Sequence, residues 1–162
     1  IGEYKLDIPV LASAMDAVMS PEYAILMNQM GGLGVLNLEG IYSRYEDYYE
    51  IIERIINSDA TQATNLMQEI YAQPIQEELI AVRIKQIKDQ GAICAVSFTP
   101  QNAKKLAPVA VDAGADMVVI QATVTTARHL SKSNVGLNFD SLKEIVIFCI
   151  IQLVTVKRRF SY

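Results

Sequence analysis

Apolar positions along the chain switch between short continuous runs and helical spacing. Ile8-Pro9-Val10-Leu11-Ala12 is a near-continuous apolar run, followed by Ser13-Ala14-Met15-Asp16. This is the pattern of a strand buried on both faces, and it predicts a first parallel strand. Ser20-Pro21-Glu22 supplies an N-cap, a proline at the first helical position and an early acidic residue; Ala24, Ile25, Met27 and Met30 follow until Gly31-Gly32. That combination predicts a helix. A second strand is predicted over Leu33 to Leu38, in the rhythm of a βαβ crossover.

From Glu39 to Gln90 the period is helical. Tyr42, Tyr45, Tyr48 and Tyr49 lie among charges, Ile51, Ile52, Ile55 and Ile56 recur at helical spacing, and Ala60 to Ile70 predicts another helix before Pro74. Residues 40–76 are therefore expected to form a helical insertion. Glu77 to Gln90 reads as an amphipathic helix with Arg83, Lys85 and Lys88 interspersed among its apolar positions, ended by Gly91. A third strand is predicted over Ala92 to Ser97, a helix from Thr99-Pro100 to Ala113-Gly114-Ala115, and a fourth strand over Met117 to Ile120, ending in Gln121-Ala122-Thr123.

Strands alternating with helices predict an α/β fold with a parallel sheet. Periodicity leaves open a barrel or a doubly wound open sheet. The segment from Ser13 to Met19 contains no glycine, which weakens a dinucleotide-binding open sheet with its Gly-rich phosphate loop.

Composition narrows the function classes. The chain has 162 residues, 51% of them hydrophobic, enough for one domain with a core. With 14 basic and 18 acidic residues the net charge is -4, which offers no footprint for nucleic acid or a membrane surface. The longest apolar run, Ile145 to Ile151, is shorter than the ~18 residues of a bilayer span. Cys94 and Cys149 make no disulfide framework, and no metal-ligand spacing links them to His129, so a cytoplasmic setting without a metal is expected.

Three stretches together resemble one family: Ile8-Pro9-Val10-Leu11-Ala12-Ser13-Ala14-Met15-Asp16, Gly31-Gly32-Leu33-Gly34-Val35-Leu36-Asn37 and Asp112-Ala113-Gly114-Ala115-Asp116. They are similar to the inosine monophosphate (IMP) dehydrogenase and GMP reductase family of (β/α)8 barrels. Leu36 to Gly40, Arg44-Tyr45-Glu46-Asp47 and Met67 to Ala72 resemble its dehydrogenase-like branch, in which a helical segment replaces the paired CBS domains.

The resemblance implies a partial TIM (β/α)8 barrel, about the first four to five βα units with the insertion, over residues 1–145. It implies a purine nucleotide (IMP or GMP) as substrate, NAD or NADP as cofactor, and a homo-oligomer for the full-length protein. Ser13 would lie near the nucleotide phosphate and Met15 near the purine base, because strand ends face the active site of a barrel. On residue type alone, Ser13 as a turn cap and Met15 as core filling remain alternatives. Gln121 and Thr123 would border the cofactor, although Gln121 stands where dehydrogenases of the family often carry an aspartate. Asn37-Leu38 replaces the paired histidines common after the second strand.

The resemblance implies a cysteine thiolate that attacks C2 of the purine from a loop in the second half of the barrel, with hydride passing to or from nicotinamide. Neither cysteine fits: Cys94 lies within a predicted strand and Cys149 in Phe148-Cys149-Ile150-Ile151, so no catalytic residue is assigned. His129 reads as a solvent-facing or capping residue, and Arg44-Tyr45-Glu46-Asp47 as a polar loop or helix start.

The chain opens at Ile1 directly before the first strand and reads as a fragment. Leu137 to Cys149 reads as a helix leading toward a fifth strand, whereas residues 146–162 diverge from the family pattern, which suggests a frameshift or truncation. Half a barrel would carry two free sheet edges, so association through Val146 to Val156 is expected.

Overall fold

The computed structural model describes residues 4–59, 61–121 and 149–151, the last three as backbone. Five strands form one sheet: β1 (Leu11–Ala12), β2 (Leu33–Asn37), β3 (Ala95–Phe98), β4 (Met117–Ile120) and β5 (Cys149–Ile151). Every pairing is parallel and the spatial order is the order in the chain. An open doubly wound sheet reverses its strand order at a switch point, whereas a barrel wall does not. The topology selects the barrel wall.

Curvature leads to the same conclusion. β1 and β4 are three strand spacings apart, about 14 Å along a flat sheet. Yet the Gln121 amide after β4 donates to the Ala14 carbonyl after β1 at 3.5 Å. At the opposite end, the Tyr4 hydroxyl donates to Asp116 at 3.0 Å, beside β4. Ala14, Leu33, Val35, Ala95, Met117 and Val119 form one buried cluster on the concave face, with Tyr4, Leu6 and Ile93 packed against it. Leu36, Val96, Phe98, Val118 and Ile120 alternate with them and point outward into the larger core under the helices.

The helices are α1 (Pro21–Gln29), α2 (Tyr48–Ile56), α3 (Ala63–Ala72), α4 (Glu77–Lys88) and α5 (Pro100–Asp112). Ser20 Oγ accepts from Tyr23 N at 3.2 Å as the α1 N-cap, and Pro21 opens the helix. Gly31, at φ 84°, closes it: its N–H donates to the Asn28 carbonyl and that of Gly32 to Met27, satisfying two end carbonyls. A short 3-10 turn (Ile41–Ser43), α2 and α3 lie between β2 and α4.

Several boundaries differ from the sequence reading. β1 is two residues long, and Val10 and Leu11 are exposed, because no partner covers their outer edge among the described residues. The predicted burial of this strand on both faces is thus incorrect here. β2 ends at Asn37, before Leu38. β3 is shifted toward Phe98, and α3 begins at Ala63 rather than Ala60. Cys149 belongs to β5, paired with Val118, rather than to a helix. Three consecutive apolar residues suit either element, and the free edge of β4 selects the strand.

The sequence places Arg83 among the polar positions of α4, but it is 7% exposed. Its guanidinium donates to the carbonyls of Tyr42 (3.0 Å), Tyr45 (3.1 Å) and Glu46 (2.7 Å), and lies 4.6 Å over the Tyr48 ring. One side chain thus fastens the start of the insertion to the helix that follows it.

Candidate functional site

Because all strands are parallel and consecutive, their C-terminal ends open on one rim. The rim receives Ser13 to Asp16 after β1, Asn37 to Gly40 after β2, Thr99 after β3 and Gln121 after β4. Ser13 is half-buried, its carbonyl accepting from Met15 N at 2.9 Å. Met15 is 54% exposed on this part of the barrel wall. Thr123 and His129 lie outside the described residues, as does most of Val146 to Val156.

The loop after β1 is held by Asp16. Its Oδ1 accepts from Asn37 Nδ2 at 3.1 Å, and its Oδ2 from the Ile41 N–H at 2.7 Å and the Tyr71 hydroxyl at 2.6 Å. Its carbonyl accepts from the Tyr42 hydroxyl at 2.9 Å. Gly40 lies against the carboxylate so closely that a Cβ there would collide with both oxygens. The loop bearing Ser13 and Met15 is thereby bound to β2, to the 3-10 turn and to α3. The Tyr71 hydroxyl titrates above its ordinary value because it is buried and also bonded to this carboxylate.

Glu39 performs a similar service one strand further on. Its carboxylate accepts from Thr99 N at 3.0 Å, Thr99 Oγ1 at 2.9 Å and Asn102 Nδ2, tying the β2 end to the start of α5. Asn37, noted in the sequence only as a replacement for histidine, is a link: it donates to Asp16 and accepts from the Glu39 N–H at 3.0 Å. Arg44 is likewise engaged within the insertion, donating to the carbonyls of Glu39 and Gln73. On the concave face Ser97 is fully buried and its hydroxyl has no hydrogen-bond partner among the described residues.

Residues 2–143 match the model of the IMP dehydrogenase / GMP reductase domain. The chain belongs to this family. It is 39% identical to uncharacterized oxidoreductases of Mycolicibacterium smegmatis and of Mycobacterium bovis, over 87% of its own length and 39% of theirs. A solved structure, an IMP dehydrogenase/GMP reductase-like protein from Corynebacterium glutamicum, superposes with a TM-score of 0.84 at 38% identity, over 94% of this chain and 41% of that one. The four parallel strands that alternate with helices thus match part of the family's barrel, and the chain spans about two fifths of the relatives it matches. No helix among the described residues is long and apolar enough to cross a membrane.

For a family whose resemblance implied a cysteine nucleophile, the state of Cys94 is informative. It is fully buried just before β3, and burial, reinforced by the Asp116 charge, pushes its thiol up to about 12. Iodoacetamide at pH 8 is therefore expected to leave Cys94 unmodified in the folded chain and to alkylate it in urea; mass-spectrometric detection of native-state labelling would refute this. The same shift has a sign for stability. Between about 9 and about 12 the unfolded thiol ionises and the folded one does not, so stability falls as pH rises through that window.

Proposed function

We propose that this chain supplies the first share of the purine-nucleotide floor of a nicotinamide-dependent oxidoreductase of the IMP dehydrogenase or GMP reductase type. The observation that carries the reading is the Asp16-anchored loop on the rim of a family barrel wall, presenting an exposed Met15 thioether next to Ser13. A serine hydroxyl donates well to a phosphate oxygen, and a flexible thioether lies readily against a flat purine ring. Clustering of strand ends makes this rim the place for such contacts.

NAD or NADP would be the hydride acceptor or donor of the whole protein. The described residues fit that group poorly. Gln121 spends its amide on Ala14 and leaves one carbonyl oxygen, where a ribose diol calls for two carboxylate oxygens. The whole protein would act in the cytoplasm as a homo-oligomer; the exposed Tyr23 and Leu26 of α1 and Met30 at its C-cap support the association.

The buried, unionised Cys94 favours a second reading for these residues alone: nucleotide binding without turnover. Calorimetric titration with IMP and GMP tests both. Binding that weakens by about tenfold in Ser13→Ala, the loss of one charge-assisted hydrogen bond, is expected. No absorbance change with NAD or NADP is expected from this chain. Failure of both nucleotides to bind at millimolar concentration would defeat the nucleotide-floor reading, and measurable turnover would defeat the second.

A further inference from the structure

Beside the rim, on the helical side of the Asp16 loop, a cleft of about 560 Å³ opens between that loop and the insertion. Its volume lies in the range of small-molecule pockets, roughly 300 to 1,000 Å³. Met15 and Val18 form one wall, and Tyr49, Ile52 and Ile56 of α2 with Met67 of α3 form the other. The apolar side chains here are unusually open to solvent: Tyr49 is 58% and Ile56 73% exposed.

Charge in the cleft has one sign. Among its lining residues are the carboxylates of Asp16 and Glu22 and no lysine, arginine or histidine. Glu22 Oε1 accepts from the Tyr48 hydroxyl and Gln86 Nε2, each at 2.6 Å. Burial raises the pKa of Glu22, but these bonds and one from Ser20 outweigh it, so the group sits below the usual carboxylate range and is ionised at neutral pH. An anionic nucleotide would meet repulsion here. Asp16 is engaged by three donors, and the Tyr48 and Tyr71 rings already carry Arg83 and Arg44, so a cation entering here gains the Glu22 carboxylate and the exposed ring of Tyr49.

We propose that this cleft is a binding site for a flat, apolar molecule carrying an ammonium group, an arylalkylamine in chemical class, separate from the nucleotide floor and sharing only Met15 with it. The ring would lie between Val18 and the α2 wall, and the ammonium would face Glu22. Two apolar walls with an acidic floor match one amphiphilic cation better than a second copy of the chain, which would have to present such a projection.

Fluorescence titration of the chain with naphthylmethylamine, against naphthoate as the anion of similar shape, tests the assignment. Saturable binding of the amine is expected, about tenfold or more tighter than of naphthoate. Glu22→Gln should weaken the amine and leave naphthoate unchanged or improved. Tyr49→Ala and Ile56→Ser, both at exposed positions that leave the fold intact, should weaken the amine with little change in thermal midpoint. Saturating IMP should leave a bound amine in place, which keeps this test distinct from that of the nucleotide floor. Equal affinity for the two probes, no saturable amine binding, amine binding indifferent to all three substitutions, or a dimer that Ile56→Ser dissociates would each overturn the proposal.

Discussion

Asp16→Ala is expected to lower the unfolding free energy by about 3 kcal/mol, the most of any single change on the rim. Three donors lose their acceptor at once: Asn37 Nδ2, the Ile41 N–H and the Tyr71 hydroxyl. A donor left unsatisfied in a buried place costs roughly 1 to 3 kcal/mol, and these partly buried ones fall at the low end. Asp16→Asn keeps one carbonyl oxygen but turns an NH2 group toward donors, so a loss of about 1 to 2 kcal/mol is expected. Urea midpoints by far-ultraviolet circular dichroism give both values. A loss below about 1 kcal/mol for the alanine variant would show that water replaces the carboxylate and that the loop is not held by it.

Arg83→Met should cost a comparable amount, about 3 kcal/mol. The substitution preserves much of the buried stem yet abandons the carbonyls of Tyr42, Tyr45 and Glu46 and the contact with the Tyr48 ring. Arg83→Lys should restore little, because a single ammonium on a flexible stem lacks the planar fork that reaches three carbonyls. Limited proteolysis adds a local readout. Cleavage between residues 41 and 76 should precede cleavage elsewhere in the Arg83 variants; if a lysine at 83 restored full protection, the requirement for the fork would be refuted.

Much of the fold was legible because the signals were local. Ser20-Pro21 and Gly31 bracket α1 within one residue, and the apolar runs of β2 and β4 sit between glycine or small-residue breaks. What was misread depended on distant partners. Ile8 to Val10 look like a buried strand until one sees that among the described residues β1 pairs with β2 alone, and Arg83 looks like a solvent residue until Tyr42, Tyr45 and Glu46 fold over it. Asp16 stood in the quoted motif without a role, since nothing in its neighbourhood announces Tyr71, fifty-five residues on. A charged residue inside an otherwise small and apolar strand-end motif, followed in the next unit by the tight Asn37 to Gly40 segment, was the available clue. Ser13 and Met15 were legible only through the family motif, since the residue types alone allowed a cap or core filling.

The sequential order of the sheet has a consequence for how such a chain is made. Each strand pairs with the one synthesised just before it, so the wall can be laid down from its N-terminal end, every new unit meeting an edge already in place. The join between β2 and β3 is the slow point, because Asn37 and Ser97 pair only after the whole insertion has been made. During that interval the Asp16 carboxylate can already recruit the Ile41 N–H and then the Tyr71 hydroxyl, gathering the insertion against the first unit before the third strand arrives.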